Sequence, residues 1–402
     1  MNFTELSSSV RPEIIRATQA MGYTEMTEIQ QKAIPLMLAG HDMIAKAPTG
    51  TGKTFAFGIP MVEHIDPECA DVQGLVLAPT RELALQIQES FEAYGKYLPL
   101  RSTVIFGGVG QAPQVERLKK GVDILVATPG RLGDLYGQKL IDLSRLEIFV
   151  LDEADRMLDM GFIHDVRRIL GWLPAQKQTL FFSATMPPVI AGFAKWCLTD
   201  PAEVTIARRE VAATISHAFY PVALDQRDEL LLALLKGTDF RSVMIFTRTR
   251  KEADAVCGML KHHGYRGEVA VMHSDIPQKE RMEALKGFKS GKYDILVATD
   301  VAARGIDISG VTHVINYRVP ENAEDYVHRI GRTGRAEASG DAFTIMTADE
   351  LDFAAAVENF IGKPIERKKL DGFNYTYTAL LEDKPVKSVR KPKPAVPKRR
   401  RR

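Results

Sequence analysis

Cysteine is scarce. The 402 residues hold three, Cys69, Cys197 and Cys257, far apart and with no CxxC pair. That disfavours a disulfide framework or a thiolate zinc site and fits a reducing compartment. Long apolar runs are missing too. No stretch approaches the roughly 18 residues that read as a membrane-spanning helix. The opening MNFTELSSSV has no basic segment followed by an apolar one, so no signal peptide is expected. Net charge of one sign is small, +2 in total, but it is unevenly placed. Residues 384–402 hold ten Lys/Arg and no Asp/Glu; the remainder has 43 basic against 51 acidic residues, a net −8. Pro385, Pro392, Pro394 and Pro397 exclude helix and sheet from that segment, so it reads as a disordered basic tail from about 384.

What is present is a repeat. DILVAT stands at 123–128 and again at 294–299. Upstream of the first copy lies GLVLAPTRE (74–82), a short apolar run entering a polar loop. SVMIFTRTR (242–250) has the same shape upstream of the second, and sets Thr80 against Thr247. Helix-like stretches at 81–94 and 251–262 separate the runs, which argues for βα units and a parallel sheet. Further strands are expected at 147–151, 179–182, 203–206, 269–272, 312–316 and 342–346. The chain therefore reads as α/β, with a first lobe at 1–206, a short polar hinge at 207–215 and a second lobe at 216–365. Residues 366–402 form the tail. Ligands of open α/β sheets sit at the carboxyl ends of the strands. One strand repeated with two different loops is then two lobes meeting a ligand with different groups.

Ala47-Pro48-Thr49-Gly50-Thr51-Gly52-Lys53-Thr54 follows DMIAK, a plausible strand, and precedes an apolar helix-like run. It meets the phosphate-loop pattern except that Ala47 replaces the first Gly. Small residues let backbone N–H groups close on phosphate oxygens at a helix N-terminus. Lys53 would reach the β/γ-phosphates of ATP, and Thr54 would hold Mg²⁺. A Gly-rich turn with a surface lysine is the plainer reading, but GTGKT between strand and helix disfavours it. A phosphate loop also needs an acidic partner at the end of a nearby strand. The run 146–151 ends in Asp152-Glu153-Ala154-Asp155. Asp152 would bind Mg²⁺ and Glu153 would orient and deprotonate the attacking water.

With APTGTGKT at 47–54 and DEAD at 152–155 stand PTRELA (79–84), Gly107-Gly108, TPGR (128–131), SAT (183–185), ATDVAARGID (298–307) and HRIGRTGR (328–335). In that order the set resembles the DEAD-box ATP-dependent RNA helicases of superfamily 2, and it covers residues 3 to about 335. The resemblance implies two tandem RecA-like lobes, with ATP and Mg²⁺ as cofactors. It implies that Gln30 reads the adenine edge, that Tyr23 stacks on the ring, and that Phe3 is the isolated upstream aromatic. Met26 departs from the usual proline, so a less rigid loop is expected. Arg332 and Arg335 would act as arginine fingers. His328 would contact the acidic site or the Ser183–Thr185 segment, with Asp155 in the same coupling, and Asp307 would bond the ribose. RNA contacts would come from Pro79, Thr80, Arg81, Gly108, Thr128 and Arg131 in the first lobe. The second lobe would add Arg248, Gln278, Arg281, Thr299 and Gly305. Such groups suit phosphates and sugars, so RNA would be bound without sequence preference. Residues 371–383 are too few for an accessory RNA-binding fold. The expectation is a monomeric, cytoplasmic, bacterial-type enzyme coupling ATP hydrolysis to local duplex unwinding. A non-unwinding ATP-dependent RNA clamp shares every motif, and a DNA-directed translocase shares the paired lobes. Read as a nuclear address, PKRRRR at 397–402 would argue against the bacterial setting.

Overall fold

The computed structural model describes residues 2–48, 50–69, 71–206, 215–263, 268–303, 308, 311–334 and 340–376. The central strands are short and apolar without alternation, as strands covered on both faces must be. In the first lobe they are β1 (Met43–Lys46), β2 (Gly74–Leu77), β3 (Ser102–Ile105), β4 (Ile124–Ala127), β5 (Ile148–Leu151), β6 (Gln178–Ser183) and β7 (Ala202–Thr205). In the second they are β8 (Ile215–Pro221), β9 (Val243–Thr247), β10 (Val269–Met272), β11 (Ile295–Thr299), β12 (His313–Asn316) and β13 (Gly340–Met346). Every strand pairing is parallel.

The two sheets share one topology. The first runs β3-β4-β2-β5-β6-β1-β7 and the second β10-β11-β9-β12-β13-β8, so the second repeats the first strand for strand without a partner for β7. Each sheet has a core on either face. Leu75 and Leu77 of β2 point into one core and Val76 into the other; Met244 and Phe246 of β9 are likewise split from Val243 and Ile245. The twin DILVAT strands, β4 and β11, are opened by the same device. The Asp123 carboxylate accepts from the Arg101 N–H at 2.7 Å, and Asp294 accepts from the Glu268 N–H at 3.1 Å. Each aspartate thus caps the chain where the neighbouring edge strand begins.

The register corrects one detail of the repeat. Leu77 pairs with Ala127 and Phe246 with Ala298, which sets Thr80 against Thr249 instead of Thr247. Both threonines cap helices, accepting from the N–H of Leu83 and of Glu252. These helices run Arg81–Tyr94 and Arg250–His262. Two strands have no counterpart in the expected set, β3 and β8. Both lie at sheet edges, where Ser102, Ser216, His217 and the closing Pro221 are tolerated. β8 starts at Ile215, the last residue of the expected hinge; residues 207–214 lie outside the described ones. Past 365 the chain still belongs to the second lobe. Arg367 bridges Phe219, and Gln226 bonds Asn374 and Thr376.

Candidate active site

The phosphate loop joins β1 to the helix Lys53–His64. Ala47 is fully buried and its N–H continues the ladder to the Ser183 carbonyl at 3.0 Å, which leaves the site of the expected first glycine closely packed. The Lys53 ammonium is buried and donates to the Ala47 carbonyl at 3.1 Å. The Thr51 hydroxyl donates to the Pro48 carbonyl at 2.8 Å. Gln30 caps its own helix, accepting from the Thr27 N–H at 2.8 Å, and its amide donates to the Gly52 carbonyl at 3.3 Å. The segment around Gln30 is therefore tied directly to the glycine-rich loop. Met26, at the position expected to make the loop less rigid, packs into the lobe. Its side chain is buried, and its carbonyl accepts from Gln31 Nε2 at 2.7 Å.

Beside the loop, β5 ends at Asp152, which is 2% exposed. Burial pushes its carboxyl up from the usual range, opposed by Lys53. Glu153 is pushed up to about 7, first by burial and then by Asp152 and Asp155, against the pull of Lys53 and of Arg332. Arg332 belongs to the second lobe, so both lobes act on one carboxylate. Asp155 turns the other way. Its Oδ2 accepts from the Thr185 N–H at 2.8 Å and hydroxyl at 2.9 Å, and its own N–H donates to Ser183 Oγ at 3.1 Å. The end of β6 is thereby bonded to the acidic loop.

The lobes also meet away from the phosphate loop. Arg281 Nη2 lies 2.8 Å from Glu82 Oε1, and Gln278 Nε2 donates to the same carboxylate at 2.9 Å. Arg81 donates to Gln278 Oε1 at 3.4 Å. All but Arg81 are buried. Gln278 and Arg281, expected on RNA, are engaged here in holding lobe to lobe. Arg81 lies over Gly108, whose φ of +78° and missing Cβ leave room for the guanidinium. Arg131 fixes the same loop through the Val109 carbonyl at 2.9 Å. Pro79, Thr80, Thr128 and Thr299 stand at strand ends on the same edge of their sheets. Arg248 is held by Glu321 at 3.3 Å and by the Val319 carbonyl at 3.2 Å.

The DEAD/DEAH box helicase family matches residues 27–192, and the helicase conserved C-terminal domain matches 226–337. The DEAD-box ATP-dependent RNA helicase CshA of Bacillus licheniformis is 43% identical over 370 residues, 92% of this chain and 76% of that protein. This chain is a DEAD-box ATP-dependent RNA helicase. As such it is an RNA-dependent ATPase with two RecA-like lobes. The helicase resembles Saccharomyces cerevisiae Dbp5 bound to RNA and ADP BeF3, with a TM-score of 0.82, 32% identity, and coverage of 92% of this chain and 95% of that one. A DEAD box protein from Methanococcus jannaschii is more alike in sequence, at 37% identity over 92% of this chain and 99% of its own, yet its TM-score is 0.54. Among the described residues no helix is long and apolar enough to cross a membrane.

Thr49, Gly305, Asp307 and Arg335, all expected in the helicase site, lie outside the described residues. His328 lies in the last turn of the helix Ala323–Ile330. Several residues of the site were not foreseen. Arg329 forks onto Asp300 at 2.7 and 2.6 Å and bonds Asn316 Oδ1 at 3.1 Å. It thereby pins the HRIGRTGR segment to the ends of β11 and β12. Asp325, on the same helix, is pushed up to about 7 by burial and by Asp300, against Arg329 and Arg156; Asp159 raises it further. Arg156 and Asp159 come from the helix after DEAD, in the other lobe. Glu82 lies inside PTRELA, so its motif was visible while its partner 196 residues away was not.

Proposed function

We propose that this helicase binds RNA without sequence preference, closes both lobes around RNA and Mg²⁺–ATP, and couples hydrolysis to local duplex unwinding. The observation that carries the reading is the two-lobed environment of Glu153, whose carboxylate is favoured by both Lys53 of the first lobe and Arg332 of the second. In this reading Lys53, Thr51 and the backbone of 50–54 hold the phosphates. Tyr23 and Gln30 take the base, and Asp307 the ribose. Glu153 accepts the proton of the attacking water, while Arg332 and Arg335 stabilise the charge that develops on the phosphoryl group. Asp155, bonded to Ser183 and Thr185, carries the change toward the RNA edge, together with His328.

The donor set suits Mg²⁺. A buried carboxylate whose pKa burial raises calls for a cation, and Asp152 with the Thr54 hydroxyl offers hard oxygen ligands. Among the described residues no cluster of three or more His, Cys, Asp or Glu could hold a metal by itself. An ion completed by phosphates and water needs none. When bound, it would neutralise phosphate charge.

On the RNA edge, Pro79, Thr80, Arg81, Gly108, Thr128 and Arg131 face the sugar–phosphate chain in this reading. Arg248, Thr299 and Gly305 extend that path, and Gln278 and Arg281 border it while latching the lobes. Hydroxyls, arginines and backbone amides read no bases, hence the lack of sequence preference. We place the first lobe at 1–206 and the second at 215–376, and the protein as a cytoplasmic monomer; its three unpaired cysteines suit a reducing compartment. The test is strand release from short RNA and DNA duplexes of one sequence. Release of the RNA strand with ATP, and none with a non-hydrolysable analogue or from DNA, is expected. ATP-dependent retention of RNA without release would leave a clamp in place of an unwinding enzyme.

A further inference from the structure

Tyr23, the ring proposed to stack on adenine, is 52% exposed. It is not free-standing. Its ring meets Phe55 at 5.2 Å with planes at 75°. Phe55 is buried and directly follows Thr54 on the helix Lys53–His64. It also packs on Phe3 at 4.9 Å and on Tyr94 at 4.8 Å. Phe3 is tied to the base-reading segment through its backbone, donating to the Thr24 carbonyl at 3.2 Å, and Asn2 bridges Glu25. Tyr94 reaches the helix because position 58 is glycine; a Cβ there would collide with its ring. Three buried rings thus form a base under Tyr23, and Phe55 touches every other ring in the group.

We propose that Phe55 is a positioning residue for base selection, holding the Tyr23 ring at a set height above the phosphate loop. The proposal rests on the reading of Tyr23 and Gln30 as the adenine-binding pair. Phe55 shares a helical turn with Lys53 and Thr54. The turn that places the triphosphate therefore also places the ring supporting the base platform, and the distance between the two subsites is built into one segment. A ring on a firm edge-to-face support loses little freedom when a base stacks on it. Without that support the base loses its stacking partner while the phosphates keep theirs. Simple filling of the core would need any apolar side chain of similar volume and would not alter the choice of base.

The experiment compares RNA-stimulated hydrolysis of ATP and GTP by the full chain and by Phe55→Leu, Phe55→Tyr and Tyr23→Ala, with inorganic triphosphate as a competitor that reports the phosphate loop alone. Phe55→Leu is expected to cut the ATP-over-GTP ratio of kcat/KM by about fivefold to tenfold, the scale of one lost ring pair. The loss should appear in KM for ATP, with kcat and triphosphate inhibition unchanged. Phe55→Tyr should restore the ratio, and Tyr23→Ala should lose at least as much as Phe55→Leu. A normal ratio in Phe55→Leu beside a lost ratio in Tyr23→Ala overturns the role of Phe55 and leaves the adenine reading intact. A normal ratio in both overturns the adenine reading itself. If Phe55→Leu melts below the assay temperature, Phe55→Met, which keeps the bulk and loses the ring, takes its place with the same outcomes.

Discussion

Glu153 has a backbone that few side chains adopt, with φ 51° and ψ 54°. Such left-handed geometry costs about 1–3 kcal/mol in a residue other than glycine and persists only where the surroundings impose it. Here they do. Asp152 accepts the Glu153 N–H at 2.9 Å, and the Glu153 carbonyl accepts the N–H of Arg156 at 2.9 Å and of Met157 at 3.0 Å. The turn aims a buried carboxylate at the phosphate loop while the next helix starts at Ala154. Replacement by glutamine keeps the shape and removes the proton acceptor. Turnover by Glu153→Gln should fall at least ~100-fold, while RNA affinity in the presence of ATP persists. Near-normal ATPase in a folded Glu153→Gln protein would remove this residue from the chemistry.

Two helix starts, not two surfaces, make the latch between the lobes. Glu82 lies in the first turn of the helix Arg81–Tyr94, and Gln278 and Arg281 in the first turn of the helix Gln278–Lys289. The pair is buried on both sides, with side chains 9% and 3% exposed, so truncating one partner strands the other. A hydrogen-bonded buried charge pair is the kind whose truncation costs about 2–5 kcal/mol or more across an interface. We expect Glu82→Ala to leave each ligand's binding alone nearly intact but to shrink the ATP-dependent gain in RNA affinity by at least tenfold. RNA titrations with and without a non-hydrolysable ATP analogue measure that gain. A double-mutant cycle with Arg281→Ala should show strong non-additivity; additive losses would mean that the two residues act apart.

At the scale of the molecule, one buried carboxyl that titrates near neutrality ties stability to pH. Asp325 is pushed up to about 7, first by burial and then by Asp300, against Arg329 and Arg156, with Asp159 raising it further. In the unfolded chain its carboxyl returns to the ordinary range, so the native form holds the proton better and protonation favours folding. That advantage is complete below about 4, the ordinary carboxylate value, and disappears as pH rises through about 7. The melting temperature should therefore lose this contribution between about pH 4 and 7 and level off above, and Asp325→Asn should flatten that slope. An unchanged slope in that variant would assign the proton elsewhere. The tail lies outside the described residues, and its charge argues for a part in capture. A basic arm on a body of net charge −8 would raise the local concentration of RNA. Deleting 384–402 should weaken RNA binding and lessen its salt dependence, by about 0.7 log unit per log unit of salt for each single-strand phosphate that the arm no longer neutralises. ATPase at saturating RNA should be unchanged. Parallel salt slopes would refute the arm.

The sequence by itself determined the two lobes and most of their strands, because strands covered on both faces must be short and apolar and so stand out from their surroundings. It also marked the phosphate loop and the acidic end of β5, since each is a contiguous run whose chemistry is local. Of the four edge strands, β7 and β10 were legible and β3 and β8 were not, because Ser102 and the Ser216-His217 pair interrupt the apolar runs that would have marked them. Nor were the partners across the lobes. That Glu82 holds Arg281, that Arg332 acts on Glu153, and that Arg156 approaches Asp325 depends on how two independently folded sheets dock. Docking brings together side chains about 170–200 residues apart, and no pattern in either stretch of chain encodes the other's position. The same holds for the ring beneath Tyr23. Phe55 reads as one more apolar residue of a core helix until the fold sets Phe3, Tyr23 and Tyr94 around it.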